Sequence, residues 1–355
     1  MSRSERIGII QQIESLRQST VICYLTSVRP NLNAQMSDDV VRVMFDQMSK
    51  LPKRPVDNLD IFLCSNGGNG TVPWRLISLF REYASKVSVL LPYRAYSAAT
   101  LLALGADEIV MHPFAEMGPI DPTVTNEYNP VETPTNRRLG ISVEDVKAYI
   151  AFIKNTVGIQ NQPELIRAVE ALISKVHPLA LGNVERFLAQ SRMIAEKIMR
   201  THMPDSGSTK KIEEIIDTLA SKLYFHGHPI NRQEARKELG LKVLETVPED
   251  LETLIWKLYE DFEVDLENRK IYDPMSQIYS QYQPATSGQV IPGQIMPSII
   301  PPGTSAQIDA TIAMVESASL ASKFVQKMRL VVASAGQSAE PVVRQEVLAQ
   351  GWQNS

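Results

Sequence analysis

The chain has 355 residues, with 36 Lys and Arg against 40 Asp and Glu and a formal net charge of -4. It is 44% hydrophobic and 21% charged, a globular balance that excludes a wholly disordered or fibrous chain. No positive excess is available for tracking a phosphate backbone, so a nucleic-acid ligand is not expected.

Ile7, Ile10, Ile13 and Leu16 stand at helical spacing and predict an amphipathic helix over residues 4–17. Thr20 to Thr26 is a β-branched and aromatic run, a predicted strand. Ser37 caps a helix from Asp38 to about Leu51. Leu59 to Cys64 is a second strand, apolar except for Asp60, and it runs into Ser65-Asn66-Gly67-Gly68-Asn69-Gly70. A helix follows from Val72 or Pro73 to Tyr83, then a strand over Val87 to Leu91. Ser97 to Gly105 reads as a small-residue buried helix, and Glu108 to Met111 as a fourth strand. Mostly apolar strands alternating with helices predict an α/β fold with a mainly parallel sheet covered on both faces.

Residues 142–268 read as almost entirely helical, with long helices over Leu181 to His202 and Ile212 to Tyr224. Asn231 opens a short helix that Gly240 ends. Residues 269–304 are rich in Pro, Gly and Gln and read as a linker. Ile308, Ile312, Val315, Leu320 and Phe324 suggest a partly helical tail over 305–355. The predicted organisation is therefore one α/β unit over 1–268, with the N-terminal helix at 1–17, followed by linker and tail.

Cys23 and Cys64 lie in apolar strands and read as reduced core residues, which fits a cytoplasmic protein. The opening residues lack the order of a signal peptide. No apolar run approaches the roughly 20 residues of a membrane span. The methionines read as core filler, and no Cys, His, Asp or Glu cluster has metal-ligand spacing, so neither cofactor nor metal is expected.

Two loops can carry chemistry. The Ser65–Gly70 loop can expose backbone N–H groups, although a plain strand-to-helix turn also explains its glycines. Ser97 stands between a strand and a buried helix, the setting of a nucleophile elbow, although an N-cap serine also fits there.

Taken together, Ser65-Asn66-Gly67-Gly68, then Tyr96-Ser97-Ala98-Ala99, then Gly105-Ala106-Asp107-Glu108-Ile109-Val110-Met111 are similar to the Clp/crotonase superfamily. The branch resembled is that of Clp peptidase and signal peptide peptidase A, and most closely the serine dehydrogenase proteinase (SDH) family. Further matching motifs are Met117-Gly118-Pro119-Ile120-Asp121-Pro122, His177 to Glu185 and Phe225-His226-Gly227-His228-Pro229-Ile230. The resemblance covers residues 18–245. It implies a Clp/crotonase-like ββα superhelix with a helical C-terminal extension, acting as a serine-type endopeptidase on a peptide or protein substrate.

Carried over position by position, it implies Ser97 as nucleophile and the N–H groups of Gly67, Gly68 and Ala98 as oxyanion donors. Asn66 stands where many relatives have proline. Where a Clp peptidase carries its histidine, this chain has Gly118 to Pro122, with Asp121 read as part of a turn. The peptidase-A branch uses a lysine, usable as a base when burial lowers its pKa. Lys147 fits that spacing best. Lys154, seven residues on and about two turns away, and His226 are the alternatives.

The resemblance also implies a homo-oligomer, and the tail offers a surface for a protein partner. A crotonase-like acyl-CoA enzyme and a non-catalytic scaffold on the same fold are the rival readings.

Overall fold

The computed structural model describes residues 1–120, 123–124, 126–132, 137–223, 227–282, 300–333 and 342–354. Four strands, β1 (Thr20–Thr26), β2 (Val56–Cys64), β3 (Ala84–Leu91) and β4 (Glu108–Met111), lie parallel in that order. Their crossovers pass through α2 (Val40–Ser49), α3 (Val72–Tyr83) and α4 (Ala98–Ala103). Parallel strands need such crossovers and are buried on both faces. Accordingly, Ile22 and Tyr24 of β1 belong to one core, while Val21, Cys23 and Leu25 belong to the other.

The first core is closed by α2, α3, α4 and the long helix α7 (Pro178–Arg200), whose Ile194 and Ile198 join Leu76, Ile77 and Phe80 of α3. The second is closed by α1 (Arg3–Arg17) and α10 (Glu249–Asp265). Ile9, Ile10 and Ile13 meet Ile255, Leu258 and Phe262 there, each set at helical spacing. Between α1 and the sheet, Arg17 joins Asp60 and Glu108, both at 2.9 Å. This explains the one charged residue in the Leu59–Cys64 part of β2.

Cys23 and Cys64 are free and buried in the second core. Burial pushes the Cys64 thiol up to about 12, so it is inert at neutral pH.

The tail differs from its helical reading. Residues 305–354 supply β5 (Ser305–Glu316), β6 (Ala321–Ala333) and β7 (Val342–Asn354), an antiparallel meander that extends the sheet to seven strands in the order β7-β6-β5-β1-β2-β3-β4. The reason is the spacing itself. Ile308 and Ile312 are four apart, which puts them on one face of a helix or of a strand alike. A register shift between Thr311 and Ala313 then breaks the two-residue period.

The linker differs too. Its first part holds α11 (Pro274–Gln281), capped by Asp273, whose side chain accepts from Met275 and Ser276 N–H. Buried Ile278 and Tyr272 tie this part to the tail strands. The Pro/Gly-rich remainder, 283–299, lies outside the described residues.

A buried ion cluster locks tail to core. Arg6 on α1 donates to Asp265 at 2.8 Å, to Glu316 on β5 at 2.9 Å, and through Nε to Asp261. Burial alone would raise the Asp265 carboxyl, but the Arg6 guanidinium outweighs it and holds the group below the usual carboxylate range.

The helical stretch after residue 142 is packed unevenly. In α7 eight residues are buried, whereas α6 (Gln162–Ile173) buries none of its 12 residues. The helix α5 (Val143–Ala151) leads through a wide-turn segment, Phe152–Thr156, that also buries nothing. Among the described residues no helix is long and apolar enough to cross a membrane.

Candidate active site

The C-terminal ends of β1, β2 and β3 meet at one corner. The residue after β2, Ser65, is fully buried. Its N–H donates to Arg94 O at 2.9 Å, and Tyr96 N–H donates to Ser65 O at 3.0 Å. These two bonds join the glycine loop to the segment leading into Ser97. Ser65 Oγ also accepts from Thr26 Oγ1 at 2.8 Å and from Gly67 N–H at 3.1 Å.

The loop needs its glycines for space as well as for conformation. Gly67 adopts φ +91°, and a Cβ there would lie 2.5 Å from Tyr96 O, 2.8 Å from Ala98 N and 2.9 Å from Ser97 Cβ. The loop backbone therefore rests directly on the Ser97 corner. Gly68, at φ +150°, faces the other wall, where a Cβ would run into Met36. That wall is pinned by Met36 N–H to Gly67 O (2.7 Å) and Asn69 N–H to Met36 O (2.8 Å).

Ser97 is half-buried, at φ 52° and ψ −115°, a backbone state that non-glycine residues avoid. It occupies the N-cap position of α4, yet its side chain makes no capping bond. The hydroxyl is thus not spent on the role that a bland reading gives it. Ser97 N–H donates to Pro119 O at 3.1 Å. Neither Gly68 N–H nor Ala98 N–H has an acceptor among the described residues. Of the expected donors, Gly67 is the one whose N–H is already engaged, by Ser65 Oγ.

The structure brings together Ser97, Ala98, Gly67 and the adjoining Gly68. The candidate bases are placed otherwise. Lys147 is exposed on α5, and its Nζ donates to Ser221 Oγ at 3.3 Å. Lys154 is exposed, and its carbonyl accepts from Gln160 Nε2 at 2.7 Å. Among the described residues no hydrogen bond joins either lysine to Ser97. His226 and Asp121 lie outside the described residues. His112 stacks on Trp256, and its Nδ1 accepts from Phe114 N–H at 3.1 Å. Burial lowers its pKa, and among the described residues no hydrogen bond joins it to Ser97. Among the described residues no cluster of three or more His, Cys, Asp or Glu could hold a metal ion.

Two features of the corner were not anticipated. One is the Thr26–Ser65 hydroxyl pair beneath the glycine loop; its signal was Ser65 at the end of an apolar strand. The other is Tyr96, whose hydroxyl donates to Glu116 Oε1 at 2.8 Å.

Residues 2–145 match the family described as ClpP-like SDH-type serine proteinase. Over longer stretches the chain is similar to two uncharacterized proteins of Methanocaldococcus jannaschii. One is 23% identical over 265 residues, 72% of this chain and 78% of the relative. The other is 22% identical over 261 residues, 71% and 75% respectively. Among solved structures it is similar, at 17% identity and a TM-score of 0.26, to two forms of the 1510-N membrane-bound stomatin-specific protease, one of them in complex with a substrate peptide. The likeness covers 38% of this chain and spans only 62% and 58% of those chains. The segment that carries the glycine loop, the Ser97 corner and the four parallel strands, residues 2–145, is the part of the chain that is similar to the ClpP-like SDH-type serine proteinase family.

Proposed function

We propose that this chain is a serine endopeptidase in which Ser97 is the nucleophile and Lys147 the general base. The observation that carries the reading is the strained, uncapped Ser97 resting against the glycine loop. Such strain is retained where the surrounding structure over-determines it, and it clusters at reactive positions.

In the proposed reaction, Ser97 Oγ attacks the scissile carbonyl carbon and its proton passes to the neutral Lys147 amine. The carbonyl oxygen takes up the negative charge and is held by the N–H groups of Gly68 and Ala98. Collapse breaks the C–N bond, and the leaving amine takes the proton back from Lys147. Water then hydrolyses the Ser97 ester. An acyl-CoA enzyme would use the same two N–H groups without needing a serine at this corner.

Lys147 is supported by its place in the fold. Pro119 O accepts from Ser97 N–H, Ile120 N–H donates to Leu219 O at 3.0 Å, and Ser221, two residues on, accepts from Lys147. In this reading α5 moves in when substrate binds and brings the Lys147 amine to Ser97 Oγ. The substrate is a peptide or protein segment. A homo-oligomer is proposed through Ile166, Val169 and Ile173 on α6, each more than a third exposed.

The test is hydrolysis of a peptide library together with labelling by a fluorophosphonate. Ser97→Ala is expected to lower turnover about a thousandfold or more and to abolish labelling. Lys147→Ala is expected to lower turnover with the fold intact, and Lys154→Ala to change little. Full activity in Ser97→Ala overturns the nucleophile, and full activity in Lys147→Ala overturns the base. A wild type that is neither labelled nor active favours the scaffold.

A further inference from the structure

Ser97 holds a costly backbone conformation, and its own side chain makes no capping bond that would help hold it. The anchor is found one residue earlier. Tyr96 is fixed at three points. Its N–H donates to Ser65 O at 3.0 Å, its carbonyl accepts from Ala99 N–H at 2.9 Å, and its hydroxyl donates to Glu116 Oε1 at 2.8 Å. Its ring lies flush on the chain at Gly118, where a Cβ would come within 2.7 Å of Cδ1 and 2.8 Å of Cγ. Gly118 is therefore required by the ring.

Glu116 is held in turn. Arg94 Nε donates to the same Oε1 at 2.9 Å, and the Arg94 guanidinium lies 4.5 Å from the Tyr93 ring and 5.7 Å from the Tyr96 ring. Arg94–Ala95 and Glu116–Met117 pair as parallel strands. Gly118 N–H donates to Ala95 O at 2.9 Å, and Thr100 Oγ1 donates to Ala95 O at 2.6 Å and to Gly118 O at 2.8 Å. The next residue, Pro119, receives the Ser97 N–H. One side chain thus spans the two segments whose relative placement sets the Ser97 backbone.

We propose that Tyr96, held by the Arg94–Glu116 pair, is a positioning residue for Ser97. Its hydroxyl–carboxylate bond keeps the Tyr96–Ser97 peptide turned so that the serine hydroxyl stays raised above α4. The role rests on the serine-peptidase reading above, and Tyr96 itself does not touch the reacting atoms. Removing the hydroxyl leaves the ring on Gly118, so the fold persists while the corner loses its tether.

The experiment compares wild type, Tyr96→Phe, Glu116→Gln and the double variant for kcat, KM, fluorophosphonate labelling rate and melting temperature, with Ser97→Ala as control. Tyr96→Phe is expected to lower kcat and labelling by about ten- to a hundredfold, the scale of a misplaced reactive group, while KM changes less than about twofold. The double variant should fall no further than the worse single variant, because both act through one bond. A crystal structure of Tyr96→Phe should show the Ser97 φ relaxed to a negative value.

Wild-type labelling and kcat in Tyr96→Phe, or an unchanged Ser97 φ in its structure, overturns the proposal. So does a kcat loss that only follows a fall in melting temperature. Failure of the underlying reading looks different, because then the wild type itself is not labelled at Ser97.

Discussion

The Ser97 corner and the helical arm that carries Lys147 are built on opposite principles. All six residues of α4 are buried, whereas α6, next to the Lys147 segment, buries none of its 12. The corner grows out of the ends of three parallel strands and is cross-linked to the glycine loop by backbone bonds. The arm is joined to the body by sparse contacts and leaves Phe152, Val157 and Ile166 about half exposed. The lesson is a division of labour. In the proposed reaction Ser97 and its oxyanion donors must hold one geometry, and the ends of the parallel strands fix it. In that reaction Lys147 reaches Ser97 with the substrate, and segments that move are drawn from the weakly packed part of a fold.

Three substitutions probe that contrast, from the largest expected effect to the smallest. Arg6→Met strikes beneath the sheet-built half. It removes the buried cation shared by Asp261 and Glu316, leaving them only the Met1 ammonium and Arg3 respectively, and breaking a buried pair costs about 3–5 kcal/mol. Urea unfolding should show it. The pH dependence has a defined sign. The folded Asp265 carboxyl is held below its ordinary value, so its contribution is present above the unfolded pKa of about 3.9. It is lost as pH falls through the folded pKa. The gap between wild type and Arg6→Met should therefore be widest near neutral pH and narrow below about pH 4. A gap that does not change with pH would show that the ion pairs are not its source.

Gly67→Ala tests the corner itself. A methyl group there meets Tyr96 O at 2.5 Å and sits at φ +91°, so about 3 kcal/mol of stability should be lost, with activity lost alongside. An active Gly67→Ala enzyme of unchanged stability would contradict the close packing of loop on corner.

Ile166→Asp tests the arm. With no burial to lose, the unfolding free energy should fall by less than about 0.7 kcal/mol, the helix-propensity difference. Sedimentation should nevertheless shift toward a smaller species if this stripe joins two copies. A large loss of stability in the monomer would mean that the arm is part of the core after all.

The same contrast marks how far the sequence could be read. The four parallel strands and their crossover helices were legible, because strands buried on both faces appear as mostly apolar runs, separated by helical segments. Ser97 and the glycines were legible as types at a spacing. What was not legible depends on pairing between distant segments. β5 docks on β1 at Cys23 opposite Glu316, a partnership that no local pattern announces. Its apolar positions four apart fit a helix as well as a strand. That Ser65 takes the N–H of Gly67, leaving Gly68 and Ala98 open, follows from the turn of a buried hydroxyl toward the loop. The role of Glu116 likewise depends on meeting Tyr96 across two short strands.

The central claim, that Ser97 is the nucleophile served by the Gly68 and Ala98 amides, is tested most directly by a crystal structure of the fluorophosphonate-treated protein. The account predicts a phosphonyl group on Ser97 Oγ with one oxygen roughly 2.7–3.1 Å from both N–H nitrogens. An adduct on another residue, or one on Ser97 whose oxygen points away from both amides, would contradict it.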